Sequence, residues 1–309
     1  MENKSNLQTN AISTIEPHTA KETSKEVERK NGPWSLAWQK LKRDKAALFG
    51  GALLLLFILL AVLAPILPLP DPIVPELANR LQPPGTSGHL LGTDELGRDM
   101  LSRLIWGGRV SILVGFLAVG IALVIGTVLG LIAGYFQKFF DTAIMRFMDI
   151  LMAFPYVLLA IAIIAALGPG LINTMIAISI VGIPYYARIV RGSTLTFREM
   201  EFVMAEQALG AGHFHIIKNH ILPNSLPPLI VAASLDVGWM ILAASGMSFL
   251  GLGAQPPLAE WGVMLSEGRK FIRVAPYVSL WPGLAIFFVV LALNLLGDGL
   301  RDALDPKSK

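Results

Sequence analysis

Three groups of residues have types and spacings that could do chemistry. The first is a lone carboxylate, Asp236, the one charged residue in the apolar run from Ser225 to Phe249. A charge near the bilayer centre costs about 2.5–3.5 kcal/mol on insertion scales, so Asp236 must face protein or water. It is a candidate either for lining a pathway or for bonding a neighbouring helix. The second group is His213, His215 and His220, which suit metal ligation or the polar surface of a short helix. Ligation needs a full ligand set with fixed supporting partners, so the histidines are read as helix surface and no metal site is expected. The third group is an apolar pattern: Phe197, Met200, Met204 and Ala208 share one helical face, and Phe202, Ala205 and Leu209 share another. Thr196-Phe197-Arg198-Glu199 reads as a capping box that opens this helix, and Gly210 as its stop. One apolar face can rest on the protein's own fold. The other suits a partner protein, unless the helix is buried on both sides.

Catalytic signatures are missing. The chain contains no GxxxxGK[ST] phosphate loop, no HExxH pair and no nucleophile elbow, so neither catalysis nor a bound cofactor is expected of it. With no cysteine, disulfides, thiolate chemistry and cysteine-based metal centres are excluded. The excess of Lys and Arg gives a net charge of only +3 and is scattered along the chain, which argues against a nucleic-acid partner.

The elements that must position these residues are membrane helices. Of the 309 residues, 54% are hydrophobic and 15% charged, and the mean hydropathy is +0.61, more apolar material than one globular core needs. Uncharged runs cover Ala46 to Pro70, Val110 to Gln137, Ile150 to Ala187 and Val274 to Gly297; Ser225 to Phe249 adds another. A span takes about 20 residues, so the run from Ile150 is long enough for two, turned at Leu167-Gly168-Pro169-Gly170. The expectation is an all-α polytopic membrane protein with six transmembrane helices surrounded by lipid. Pro155 and Pro184 are expected to kink spans three and four. Gly126, Gly130 and Gly134 recur every four residues and form a small-residue seam for close helix packing.

Residues 1–32 are polar and read as a disordered tail. Residues 33–109 hold a helix with Trp34, Ala37, Trp38 and Leu41 on one face, the first span and an external segment. That first helix is either an interfacial elbow or a plain basic flank. Residues 110–300 form a five-span core with a loop at 192–224, and 301–309 a tail. Fourteen Lys and Arg flank the spans on one side against seven on the other, which places both termini, and that loop, in the cytoplasm.

At this point the sequence resembles a known family. Met204-Ala205-Glu206-Gln207-Ala208-Leu209-Gly210, followed after nine residues by His220-Ile221-Leu222-Pro223, resembles the EAA loop of binding-protein-dependent ABC importer permeases. The usual Glu-Ala-Ala is Met204-Ala205-Glu206 here, while the Gly, the spacing and the Leu-Pro ending are kept. Leu91-Gly92-Thr93-Asp94-Glu95-Leu96-Gly97-Arg98-Asp99, Ser248-Phe249-Leu250-Gly251-Leu252-Gly253 and Leu296-Gly297-Asp298-Gly299-Leu300-Arg301-Asp302-Ala303-Leu304-Asp305-Pro306 are similar to the second permease of the oligopeptide, dipeptide and nickel group. The resemblance implies the type I importer fold and a place in the bacterial inner membrane. It also implies a homologous permease partner, two ATPase subunits that bind ATP and Mg, and an extracytoplasmic solute-binding protein. Phe197, Met200, Phe202, Met204, Ala205, Glu206, Ala208, Leu209, Gly210, Leu222 and Pro223 would be the ATPase-coupling residues. Peptide is the expected substrate, with nickel, a nickel chelate or glutathione as alternatives. An ion-coupled secondary carrier is the rival class, and a membrane-embedded enzyme the second rival.

Overall fold

The computed structural model describes residues 33–86 and 88–304; the tail expected over 1–32 and residues 305–309 lie outside them. The chain order is α1 (Pro33–Leu41), α2 (Lys45–Leu63), a coiled segment with a 3-10 turn at Leu77–Asn79, α3 (Met100–Phe136), α4 (Lys138–Met152), α5 (Tyr156–Leu167) and α6 (Leu171–Arg198). Beyond α6 come α7 (Glu201–Ala208), α8 (His213–Ile216), a π turn (Ile217–Ile221), α9 (Leu222–Phe249), α10 (Trp261–Gly268) and α11 (Tyr277–Leu304). No strand occurs among the described residues.

Hydrogen bonds sort the connections onto two ends of the bundle. The Gly170 N–H bonds the Leu252 carbonyl, and the Tyr277 hydroxyl donates to the Gln82 carbonyl. The coil after α2, the α5–α6 turn and the region around α10 therefore share one end. At the other end the Tyr135 hydroxyl, near the close of α3, meets His213 Nδ1 at 2.9 Å. The start of α2 lies beside the close of α11 there too, because a Cβ on Gly299 would fall 2.3 Å from that of Ala47.

The spans differ from expectation at the third. Helices α2, α3, α6, α9 with its preceding turn, and α11 are each long and apolar enough to cross a membrane. The sixth candidate is the bent pair α4 and α5, which meet at 93°. With 12 residues, α5 rises only about 18 Å. Pro155 does not kink a continuous span; it caps the start of α5 at the break, where its missing N–H leaves no intrahelical bond unmade. Pro184 does lie inside α6, buried. The amphipathic α4 is held to α6 by Arg191–Asp141 at 2.5 Å and Arg188–Asp149 at 2.7 Å.

The glycine seam packs against α6. A Cβ on Gly126 would come within 2.6 Å of Tyr186 Cβ, one on Gly130 within 2.6 Å of the Ala187 carbonyl oxygen, and one on Gly134 within 2.6 Å of Thr194 Cβ. The two backbones touch along three turns.

The Leu91–Asp99 motif builds a buried ionic latch at the end where α3 begins. Gly97 has φ +78, and a Cβ there would lie 1.8 Å from the Glu76 carbonyl oxygen, so this turn closes only with glycine. The turn aims Asp94: Oδ1 accepts the N–H groups of Leu96 and Arg98 at 2.9 Å, and Oδ2 accepts Arg98 Nε at 2.7 Å. Glu267 of α10 then receives Arg98 Nη2 at 3.1 Å and Arg103 Nη2 at 2.8 Å. Both arginine side chains are 1% exposed. Burial, and then the Glu267 charge, raise the Glu95 carboxyl above its ordinary range. Breaking a buried pair from one side leaves the opposite charge uncompensated. Glu267→Gln is therefore expected to destabilise the protein by about 3 kcal/mol, the low end for such losses because Glu267 keeps some solvent contact. The unfolding midpoint of the purified protein checks this, and an unchanged midpoint would contradict the latch.

Candidate functional site

Two places gather the candidate residues. At the end holding His213, helix α7 starts at Glu201, after Met200 at its N-cap position, without a side-chain cap. The capping box does not form: α6 runs on through Arg198, and Thr196 Oγ1 donates back to the Gly192 carbonyl instead. The continuation comes from packing, since Thr194 is buried against Gly134 and Phe197 is partly buried against the core. Phe197 thus lies on α6 rather than on α7, its carbonyl accepting the Met200 N–H at 3.2 Å.

Neither apolar face read from the sequence is the buried one. Val203 is fully buried and belongs to the same core cluster as Ile216 and Ile221. Met200, Phe202, Met204, Ala205, Ala208 and Leu209 are all exposed, Leu209 at 84%. The periodicity over-counted because an eight-residue helix has one buried line, and Val203 occupies it. After Leu209 the Gly210 N–H bonds the Gln207 carbonyl and the Ala211 N–H bonds the Glu206 carbonyl, with Gly210 at φ +83. This is a Schellman close, and it turns the chain sharply into α8. The π turn then leads into α9, with Leu222 partly buried and Pro223 exposed in its first turn. Such turns recur at functional sites.

The histidines part company. His213 bonds Tyr135, while His215 and His220 come together with Glu206 so that one ligand atom from each lies within 4.8 Å of the others. His220 Nε2 lies 3.6 Å from Glu206, and Asn219 Nδ2 reaches His215 Nδ1 at 2.9 Å. The three offer a metal's donor types; as they stand His220 Nε2 makes no hydrogen bond to Glu206, and His215 meets the Asn219 amide.

The second place is Asp236, midway along α9 and half-buried. The Tyr186 hydroxyl of α6 donates to its Oδ2 at 2.7 Å. Asp236 also lines a cavity of about 370 Å³ with Tyr156, Tyr185, Trp239 and Met240. It both bonds a neighbouring helix and faces open space. Tyr186 and the aromatic residues around the cavity are contributions the sequence reading missed; the signal for Tyr185 and Tyr186 was an aromatic pair directly after Pro184.

Known proteins share both the sequence and the fold of this chain. A family model described as "Binding-protein-dependent transport system inner membrane component" matches residues 126–309, and one described as "N-terminal TM domain of oligopeptide transport permease C" matches residues 32–84. A dipeptide transport system permease protein of Alkalihalophilus pseudofirmus is 51% identical over 90% of this chain and 91% of its own. A glutathione transport system permease protein of Pectobacterium atrosepticum is 45% identical over 90% and 92%. A di/tripeptide transport system permease protein of Pseudomonas aeruginosa is 48% identical over 88% and 91%. Among solved structures, an inward-facing MetNI methionine ABC transporter superposes with a TM-score of 0.53 at 18% identity, covering 67% of this chain and 98% of that one. That likeness concerns the fold alone, the type I importer fold. The chain belongs to the binding-protein-dependent inner membrane transport components, as an ABC importer permease subunit of the oligopeptide permease C branch.

Proposed function

We propose that this chain pairs with a homologous permease subunit to form the membrane pathway for short peptides in a bacterial ATP-driven importer. Two ATPase subunits, carrying ATP and Mg, dock on the loop at 192–224, and a solute-binding protein outside the membrane delivers the substrate. One observation carries the coupling assignment: α7 exposes Met200, Phe202, Met204 and Leu209 while burying only Val203, at the bundle end opposite the ionic latch. Exposed apolar surface of that kind, next to polar residues, suits a protein interface. Asp236 is assigned to the pathway wall, because a carboxylate within a span does not face lipid. Peptide is favoured over nickel because the three relatives described above are named for dipeptides, di/tripeptides and glutathione.

The test is uptake into vesicles by the assembled importer with its cognate binding protein, with short peptides, glutathione and chelated nickel in competition. Competition by dipeptides at the lowest concentration supports the reading; competition by chelated nickel alone overturns it.

The charge bias puts both termini in the cytoplasm. Single cysteines at Pro83 and Gln255, in a chain with no native cysteine, are then expected to react with an impermeant maleimide added outside intact cells. Reaction only after the inner face is opened would reverse the orientation.

A further inference from the structure

The cavity beside Asp236 has a chemistry of its own. Its one acidic group shares the lining with aromatic side chains: Tyr156 and Trp239 meet edge to face with centroids 6.0 Å apart, and Tyr185 meets Tyr186 edge to face at 5.3 Å. Trp239 is 51% exposed and Tyr185 48%, so these rings are turned to the open space rather than packed into the core. Among the described residues the Tyr186 hydroxyl is the one donor to the carboxylate, and it uses Oδ2. Among the described residues no Lys, Arg or His lines the cavity to pair with the remaining oxygen. A carboxylate beside aromatic faces, partly withdrawn from water, attracts an ammonium through both charge and the ring quadrupoles.

We infer that Asp236 with Tyr156, Tyr185 and Trp239 forms a subsite for a primary ammonium group, filled during transport by the free amino end of a peptide. The second half of that statement rests on the peptide reading above; the first does not. The cavity, about 370 Å³, lies at the small end of ligand sites and suits one end of a peptide rather than a whole oligopeptide. Tyr186 acts as a positioning residue, holding the carboxylate toward the cavity from α6.

The assembled importer in lipid nanodiscs, without its binding protein, tests this. Three probes are titrated: n-butylammonium, Ala-Ala and N-acetyl-Ala-Ala. The signal is the tryptophan fluorescence change that is present in the wild type and lost in Trp239→Phe. Butylammonium and Ala-Ala are expected to saturate the signal, and the acetylated peptide to bind at least about tenfold more weakly. Asp236→Asn keeps an acceptor for Tyr186 but should abolish the response to both amines. Tyr186→Phe keeps the charge and should retain it, with weaker binding. If butylammonium binds through Asp236 while neither peptide binds here nor enters vesicles with the binding protein, the ammonium site stands and the peptide reading falls. If vesicle uptake of Ala-Ala with the binding protein proceeds but binding of neither amine depends on Asp236, the subsite is overturned and the peptide reading survives. Equal binding of acetylated and free peptide also overturns it.

Discussion

Ala205→Glu is expected to leave the permease inserted and folded, yet to weaken ATPase association at least about 100-fold and abolish transport. Ala205 is exposed on α7, away from the buried line through Val203, so the new carboxylate disturbs nothing within the subunit. Under a docked ATPase it would be desolvated without a partner, a penalty of several kcal/mol, and each 1.4 kcal/mol is about tenfold in affinity. Gly210→Val probes the same element through its backbone. Nothing lies within 4 Å of a Cβ at Gly210, so the substitution meets no clash; its cost comes from the φ of +83. That conformation costs an L residue about 1–2 kcal/mol, and a β-branched one more. The expected result is retained ATPase with reduced substrate-stimulated hydrolysis, because the second arm of the loop is misdirected. Gly210→Asn, which tolerates positive φ, should recover most of it. Normal ATPase retention and normal transport in both Ala205→Glu and Gly210→Val would sink the coupling assignment.

Gly130→Leu is expected to prevent assembly of the subunit altogether. At Gly130 the nearest atom to an added Cβ is a carbonyl oxygen of the facing backbone, Ala187 O at 2.6 Å, with Val190 Cβ at 2.8 Å. Backbone cannot rotate away as a side chain can, so α3 and α6 must part. Overpacking costs typically about 1–3 kcal/mol in cores that can relax, and the contact continues a turn away at Gly126 and Gly134. Gly120→Leu is the control on the same helix, since nothing lies within 4 Å of a Cβ there. Yields of folded protein after size exclusion should be near wild type for Gly120→Leu, reduced for Gly130→Ala and lost for Gly130→Leu. A monodisperse Gly130→Leu subunit would show that the seam does not set the helix spacing.

Much of the architecture could be read from the residues because bilayers impose long uncharged runs, and because glycines four apart have few uses other than close packing. Gly210 was readable for a similar reason: a glycine after a helical pattern takes the left-handed close. The features that failed to show were set by contacts distant in sequence. Thr196 and Glu199 have the spacing of a capping box, but Thr194 and Phe197 keep α6 helical through Arg198 by packing against α3 and the core. Pro155 appeared to sit within a span because the run around it is apolar. Only the 93° turn separates the amphipathic α4 from the wholly apolar α5. The Arg98, Arg103 and Glu267 latch joins residues more than 160 positions apart, and Tyr186 finds Asp236 across 50.

The run of α6 into the expected capping box, as far as Arg198, has a mechanical consequence. Its 28 residues make a rod about 42 Å long, joined to α7 by only Glu199 and Met200. A rod of this length tilting by about 10° about its Leu171 end carries Arg198 about 7 Å and Tyr186 about 4 Å, from 1.5 Å of rise per residue. The smaller displacement exceeds the 2.7 Å separation between the Tyr186 hydroxyl and Asp236. If α6 tilted as one piece about that end, a displacement at the loop would reach the carboxylate reduced roughly by half.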